Sequence, residues 1–299
     1  MSCLSWNCRG LGNLQIKDEL VALVHNKDPR LVFLMETKVD KAVLERVGRK
    51  IQLANLFVVP RHNLGGGLAL FWPKNMKVDV QSFSDRHIDT IIDFGEDDTW
   101  RFTGFYGDPD TASREVSWSL LRTLSTRFSF PWICIGDFNE ILFADEKQGW
   151  LDRPERQMQG FRNALYFCKL KDLGYSGFPF TWCNRRPGDQ NVWIHLDRGV
   201  ASVDWILQFP SSCIHHLDAF HSDHKPLLLC SDSEFNRFYK KGRPFRFEAM
   251  WLKEISCETV IQESWGIVQH VATAREFIQK IDVCQENLKE WNKKTFGHV

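Results

Sequence analysis

Ser222-Asp223-His224-Lys225-Pro226-Leu227-Leu228 is the stretch on which the reading of this chain turns. An acid and an imidazole stand side by side at the mouth of a short apolar run, and metal-assisted phosphodiester chemistry needs both residue types. Three further sets stand upstream of it: Ser5-Trp6-Asn7, Met35-Glu36-Thr37 and Gly136-Asp137-Phe138-Asn139. The three upstream sets end or follow apolar runs of strand character, over Leu4 to Asn7, Leu31 to Glu36 and Trp132 to Ile135, and the Ser222 to Leu228 stretch opens a fourth run, Leu227 to Cys230. Side chains carried on the ends of several strands are held rigidly enough for catalysis.

Working outward, more short runs bounded by turn residues predict strands over 53–59, 68–72, 78–83, 90–94, 100–106, 180–183, 192–196 and 213–220. Gly65-Gly66-Gly67 predicts a turn with positive φ. Apolar spacing of helical period predicts helices over 17–26, 113–128, 158–168 and 203–209. Many strands with a few interspersed helices imply an α+β layered sandwich, two packed sheets flanked by helices. The pattern changes after Ser233. Residues 237–253 are strongly basic, and from about Glu254 the spacing is that of long helices, so the chain divides into 1–232 and a linker with helical extension, 233–299.

Composition bounds the reading. The 299 residues are 43% hydrophobic, enough for a substantial core, and 38 basic residues balance 38 acidic ones. That neutrality gives no global argument for a nucleic-acid partner, although a local basic patch would still attract phosphate. Nine cysteines lack paired spacing and several lie inside apolar runs, such as Cys134 and Cys230, which fits buried thiols in a reducing compartment. The N-terminus has no signal-peptide pattern, and no apolar stretch approaches the roughly 20 residues that span a bilayer. The expectation is a soluble intracellular protein without a membrane partner.

Hydrolysis of a phosphodiester requires an activated water and stabilisation of charge on phosphorus and on the leaving oxygen. Mg²⁺ is commonly held by one or two carboxylates. Glu36 is the candidate metal ligand, Asp137 a candidate acid or base beside Asn139, and Asn7 a carboxamide able to orient a ligand or donate to phosphate. His224 pairs with Asp223, Asp197 is a second carboxylate able to reach it, and Tyr106 can donate to a phosphoryl oxygen. Singly, each has a plainer reading: a surface acid, an Asx-turn, a cap, a core tyrosine, a structural histidine. Four sets at strand ends make the joint reading stronger. His215, His216, His221 and His224 invite a zinc assignment, but no thiols stand at ligand spacing.

The order Asn7, Glu36, Tyr106, Asp137-Phe138-Asn139, Asp197 and Ser222-Asp223-His224 resembles the endonuclease/exonuclease/phosphatase superfamily over roughly residues 2–232. Three stretches look like the endonuclease region of plant non-LTR (LINE-type) retrotransposon polyproteins, in which a reverse transcriptase follows. They are Leu4-Ser5-Trp6-Asn7-Cys8-Arg9-Gly10-Leu11-Gly12, Phe180-Thr181-Trp182 and Phe245-Arg246-Phe247-Glu248-Ala249-Met250-Trp251.

The resemblance implies a four-layer α/β/β/α sandwich of the deoxyribonuclease I type, with a C-terminal helical extension. It also implies Mg²⁺-dependent cleavage (Mn²⁺ as substitute) that nicks one DNA strand, leaving a 3′-hydroxyl and a 5′-phosphate, with a nuclear location. By matching position, Glu36 would bind the metal with Asn7 and Asp223 nearby. Asp137 would orient or deprotonate the water, aligned by Asn139, and His224, held by Asp197, would contact the scissile phosphate. Tyr106 would stabilise phosphoryl charge, and Thr181 would lie near the DNA. Arg9, Lys38, Arg185, Arg186 and the basic stretch 237–246 are candidate DNA contacts. One departure stands at His195, where such elements often carry arginine. The alternatives are an inositol-phosphate or lipid phosphodiesterase of the same fold, and a catalytically silent DNA-binding remnant.

Overall fold

The computed structural model describes all residues except 61–65, 94, 96–98, 232–246, 248–250, 253, 267–273 and 297–299. Its chain divides into two compact units, Met1–Asn236 and Arg237–Val299.

In the first unit, β1 (Ser2–Asn7) and β2 (Leu31–Met35) are buried along their whole length and pair in parallel, with Asn7 opposite Met35. Burial on both faces is why they read as continuous apolar runs rather than alternating ones. The crossover that a parallel pair requires is α1 (Leu14–Lys27). After α2 (Lys41–Lys50), β3 (Asn55–Val59) and β4 (Leu68–Trp72) extend one edge of this sheet. The chain returns to the other edge at its far end with β14 (Cys213–His216) and β15 (Leu227–Cys230), giving the order β14-β15-β1-β2-β4-β3.

The second sheet repeats the device. It contains β5 (Val78–Ser84), β6 (His87–Ile92), β7 (Trp100–Tyr106), β8 (Trp132–Asp137), β10 (Leu170–Asp172) and β13 (Asp197–Ser202), in the order β10-β13-β8-β7-β6-β5. β7 and β8 are parallel, joined through α3 (Arg114–Ser125), and their register sets Tyr106 opposite Asp137. β13 runs antiparallel on the far side of β8 and sets Asp197 opposite the same Asp137. A small third sheet, β11-β12-β9, is formed by β9 (Lys147–Gln148), β11 (Trp182–Cys183) and β12 (Trp193–Ile194).

The main core lies between the two large sheets, where Phe33, Leu70 and Leu229 of one meet Ile88, Phe102 and Ile135 of the other. On the outer face of the second sheet, α3 and α4 (Glu155–Phe167) pack Trp118, Leu121, Phe161 and Leu165 against Phe105, Trp132 and Phe138. On the outer face of the first, α2 lies so close that a Cβ on Gly48 would touch the Phe71 ring at 3.3 Å. The α/β/β/α sandwich is therefore the observed architecture.

Most predicted elements are present with shifted ends. The 213–220 run stops at His216, because the Leu217 amide donates to Pro226 in the turn toward β15. Two main elements are absent from the sequence reading. β13 begins with Asp197-Arg198, charged residues that are nonetheless buried, and α2 buries only Leu44, Val47 and Gly48. Gly66 and Gly67 of the predicted glycine turn have φ of 73° and 90°.

The second unit pairs α5 (Ile255–Gly266) with α6 (Ala274–Phe296) around Trp251, Cys257, Cys284, Leu288 and Trp291. The basic stretch 237–246 lies outside the described residues. Among the described residues, no helix is long and apolar enough to cross a membrane.

Candidate active site

The carboxyl ends of β1, β2, β7 and β8 meet at one end of the sandwich, and the predicted residues meet with them. Asn7 is fully buried and joins the two sheets: its Nδ2 donates to Glu36 Oε1 at 3.1 Å and to Asp137 Oδ2 at 3.0 Å. Tyr106 donates its hydroxyl to the same Glu36 Oε1 at 2.9 Å. His224 places Nδ1 2.9 Å from Asp197 Oδ2 and Nε2 3.8 Å from Asp137 Oδ2. Ser222 fixes this segment by donating to the Asn7 carbonyl at 2.8 Å, and the Trp6 indole donates to the His224 carbonyl at 3.0 Å.

Backbone conformation concentrates strain at this end. Arg9, Glu36, Lys38, Asn139 and Arg185 all have φ between 50° and 56°, a region that costs non-glycine residues free energy and clusters at functional sites. Gly136 has φ 153°, and a Cβ there would sit 1.9 Å from the Phe105 carbonyl oxygen. What approaches Gly136 is therefore the neighbouring strand, which holds Asp137 against Tyr106.

Electrostatics differentiate the acids. Burial raises the Asp137 carboxyl, and the Asp197 charge raises it further, against the opposing pull of His224 and Asn7. Burial alone would discharge His224, but Asp197 and Asp137 outweigh it and lift the imidazole to about 9. Burial likewise opposes ionisation of Glu36, yet Lys38 and Asn7 win and hold it below the usual range. Burial first, then the Glu36 and Asp137 charges, push the Tyr106 hydroxyl up, so it remains a donor.

Two groupings invite a metal. Asp137, Asp197 and His224 have atoms within 4.8 Å of one another. Within it only Asp197 and His224 are hydrogen-bonded, and Nε2 faces Asp137 at 3.8 Å, so the trio has the arrangement of a carboxylate–imidazole relay. The second grouping fits a hard cation. Glu36 lines the cleft, and the buried Asp223 Oδ1 makes no hydrogen bond, with Arg9 Nε standing 3.4 Å from it. Lys38 Nζ stands 2.7 Å and Arg9 Nε 3.8 Å from Glu36 Oε2. Two carboxylates that share one partly exposed arginine, one of them with a buried oxygen lacking a hydrogen bond, offer the hard oxygen donors that Mg²⁺ takes.

Some predicted residues sit differently from their expected parts. Asn139 touches Asp137 through its main chain, N to Oδ1 at 2.9 Å, while its carboxamide donates to the Gly107 carbonyl at 3.0 Å. Thr181 does not face the surface. It is 1% exposed, and its hydroxyl accepts from the Leu196 and Asp197 amides at 3.0 and 2.9 Å, which makes it a support for Asp197. Arg185 and Arg186 are exposed beyond β11, with Arg185 donating to the Ser222 carbonyl. His195 is buried between the Tyr175 and His216 rings. The local ion pair comes instead from Arg198, which bonds Glu146 at 2.7 Å and Asp172 at 2.6 Å. His216 stacks on Tyr175 and His221 pairs with Glu19, so the histidines do not converge on a zinc site.

Sequence reasoning missed Arg86 and the role of Trp182. Arg86 lines the 430 Å³ cleft with Arg9, Lys38, Glu36 and Tyr106, lying 5.2 Å over the Tyr106 ring and 2.9 Å from Asp108. The Trp182 indole donates to Asp223 Oδ2 at 3.0 Å. A lone arginine in the Ser84-Asp85-Arg86-His87 turn carries no sequence signal of its own. Trp182 stands in the quoted Phe180-Thr181-Trp182 stretch and could have been named.

No curated protein sequence matches the chain. Among solved structures, it is similar to a 3′-5′ exonuclease from Neisseria meningitidis (TM-score 0.56, 19% identity, 77% of this chain and 99% of that one). It is also similar to an AP endonuclease from Archaeoglobus fulgidus (TM-score 0.59, 15% identity, 77% and 98%). A third is the endonuclease domain of TRAS1, a telomere-specific non-LTR retrotransposon (TM-score 0.55, 13% identity, 76% and 96%). At these identities the likeness is one of fold. The family match covers residues 4–224, which include the whole constellation around Asn7, and the chain belongs to the endonuclease/exonuclease/phosphatase family.

Proposed function

We propose that the chain is a Mg²⁺-dependent DNA endonuclease that nicks one strand, leaving a 3′-hydroxyl and a 5′-phosphate. The observation that carries this reading is the single amide of Asn7, which ties Glu36 to Asp137 and stands 3.5 Å from His224. Glu36 and Asp223 would hold the cation, with Asn7 fixing the Glu36 carboxylate. When bound, Mg²⁺ supplies positive charge to phosphoryl and leaving oxygens.

The chain's own groups do the rest. Asp137, raised by burial, accepts the proton of the attacking water. His224, kept protonated by Asp197, donates to a phosphoryl oxygen and stabilises its charge. Tyr106 offers a second neutral donor. Arg9, Lys38, Arg185 and Arg186 would contact flanking phosphates, which makes affinity fall with salt.

An open cleft lined by three cations favours a polymeric phosphodiester over a small phosphomonoester. The fold neighbours include a 3′ phosphatase from Neisseria bound to product DNA, which supports a nucleic-acid substrate for such a frame. The LINE-like stretches support a retrotransposon origin, nuclear action, and a domain division at residue 232 with 233–299 leading toward a reverse transcriptase.

Asp137→Asn should lower cleavage at least a hundred-fold with the fold unchanged. The nicks made by wild type should prime a DNA polymerase directly and reseal with ligase. Nicks that need prior phosphatase treatment before extension would contradict the proposed chemistry.

A further inference from the structure

Beyond the cleft, on the third sheet, two large apolar side chains stand in solvent: Trp150 is 66% and Leu151 74% exposed. They are adjacent, at the tip of a tight loop rather than scattered on a face. The loop is built to hold them out. Lys147 turns back and donates Nζ to the carbonyls of Gly149, Trp150 and Leu151, the first at 2.8 Å, so the main-chain oxygens are gathered inward. Gly149 has φ 94°, and a Cβ there would meet the Asn191 carbonyl oxygen at 2.2 Å, so the loop is wedged on the 184–192 segment. Leu151 has φ 51°, a further strained position. Isolated surface apolar residues need no explanation, but an ordered Trp-Leu tip with clamped carbonyls does.

Pairing ties the tip to the catalytic end. His224 bridges to Trp182 of β11, Trp182 pairs with Ile194 of β12, and Ile194 pairs with Lys147 of β9. Three strand spacings of about 4.8 Å put Lys147 about 14 Å from the His224 backbone. The tip leaves β9 at the end where Arg185 and Arg186 leave β11. A duplex whose phosphates meet those arginines and whose scissile bond lies at His224 would pass Lys147, which carries the tip, about four base steps away, at roughly 3.4 Å per step.

We propose that Trp150 and Leu151 form a wedge that inserts between base pairs of the bound duplex, unstacking a step roughly four pairs from the nick. The inference rests on the DNA-endonuclease reading. Apolar wedges unstack and kink DNA in return for a larger contact surface, and the clamp by Lys147 removes the ordering cost that a floppy loop would add.

The test compares wild type, Trp150→Ala/Leu151→Ala, Trp150→Phe and Arg185→Ala/Arg186→Ala in EDTA, using a fluorescent 30-base-pair duplex over a salt series. Closed circular plasmid relaxed by a topoisomerase in the presence of each protein supplies a second readout. The double wedge variant should bind about ten-fold more weakly or worse with an unchanged salt slope, and should lose the plasmid unwinding that wild type produces. Trp150→Phe should keep most of both. The arginine variant should instead flatten the salt slope, by about one for each phosphate it no longer neutralises. Equal affinity and equal unwinding for the wedge variant and wild type would overturn the wedge. If wild type neither binds nor nicks DNA, the underlying endonuclease reading fails instead.

Discussion

Asn7 answers a problem that the site poses: Glu36 and Asp137 approach the same point and would repel unless a donor lay between them. One carboxamide serves both, and His224 answers the remaining charge from the other side. In this account Asp197 acts chiefly through His224, which it hydrogen-bonds, and only secondarily through its charge on Asp137, which gives a sharp expectation. Asp197→Asn should lower nicking by two orders of magnitude or more. Adding it to His224→Ala should cost almost nothing further, because the pair works as a unit; additive losses in the double variant would refute the relay. A second residue-scale prediction concerns stability. His195 is buried beside Arg198 and His216, with Glu146 3.8 Å from Nδ1, and burial first, then Arg198, lowers it to about 2. The unfolded chain titrates it near its ordinary value of about 6.5 and therefore binds the extra proton below that pH. Its effect on stability is absent above pH about 6.5 and grows unfavourable as pH falls toward 2. His195→Gln should thus flatten the fall in urea-unfolding free energy between pH 6 and 4, by about 1 kcal/mol per pH unit at its steepest.

At the scale of elements, each large sheet pairs two parallel strands at its centre and delivers their carboxyl ends to the site. The second sheet is locked by a fully buried ion pair: Arg101 of β7 bonds Asp89 of β6 at 2.8 Å through both nitrogens, with Thr103 donating at 2.6 Å. The guanidinium also lies 4.6 Å over Trp132 of β8. Asp89→Ala leaves an uncompensated buried charge and should cost about 3–5 kcal/mol in denaturant unfolding. A loss below about 1 kcal/mol would mean that the pair is dispensable. The same element shows why sequence reading reached the strands unevenly. β2, β4 and β8 are apolar enough to read directly, whereas β13 carries Asp197 and Arg198, both buried because each meets opposite charge from elsewhere in the chain. Partners distant in sequence leave no local periodicity. Thr181 illustrates the converse: the residue was legible, but its task of holding the Asp197 amide depends on pairing that only the fold creates.

For the whole molecule, the candidate catalytic and metal-binding set lies within the first unit, spread from Asn7 to His224, and sequence order alone placed it because strand ends project side chains to one end of a sandwich. What the order could not supply was the second ring of contacts, Arg86 on Tyr106 and Trp182 on Asp223, which arise where loops from different sheets meet. The central claim, that this end of the sandwich is a metal-dependent DNA-nicking site, is tested most directly on supercoiled plasmid with the 299-residue wild type and His224→Ala, each with Mg²⁺ and with EDTA. The account predicts open circles from wild type with Mg²⁺ only, and at least a hundred-fold fewer from the variant. Nicking by wild type that persists in EDTA, or that survives unchanged in His224→Ala, would contradict it.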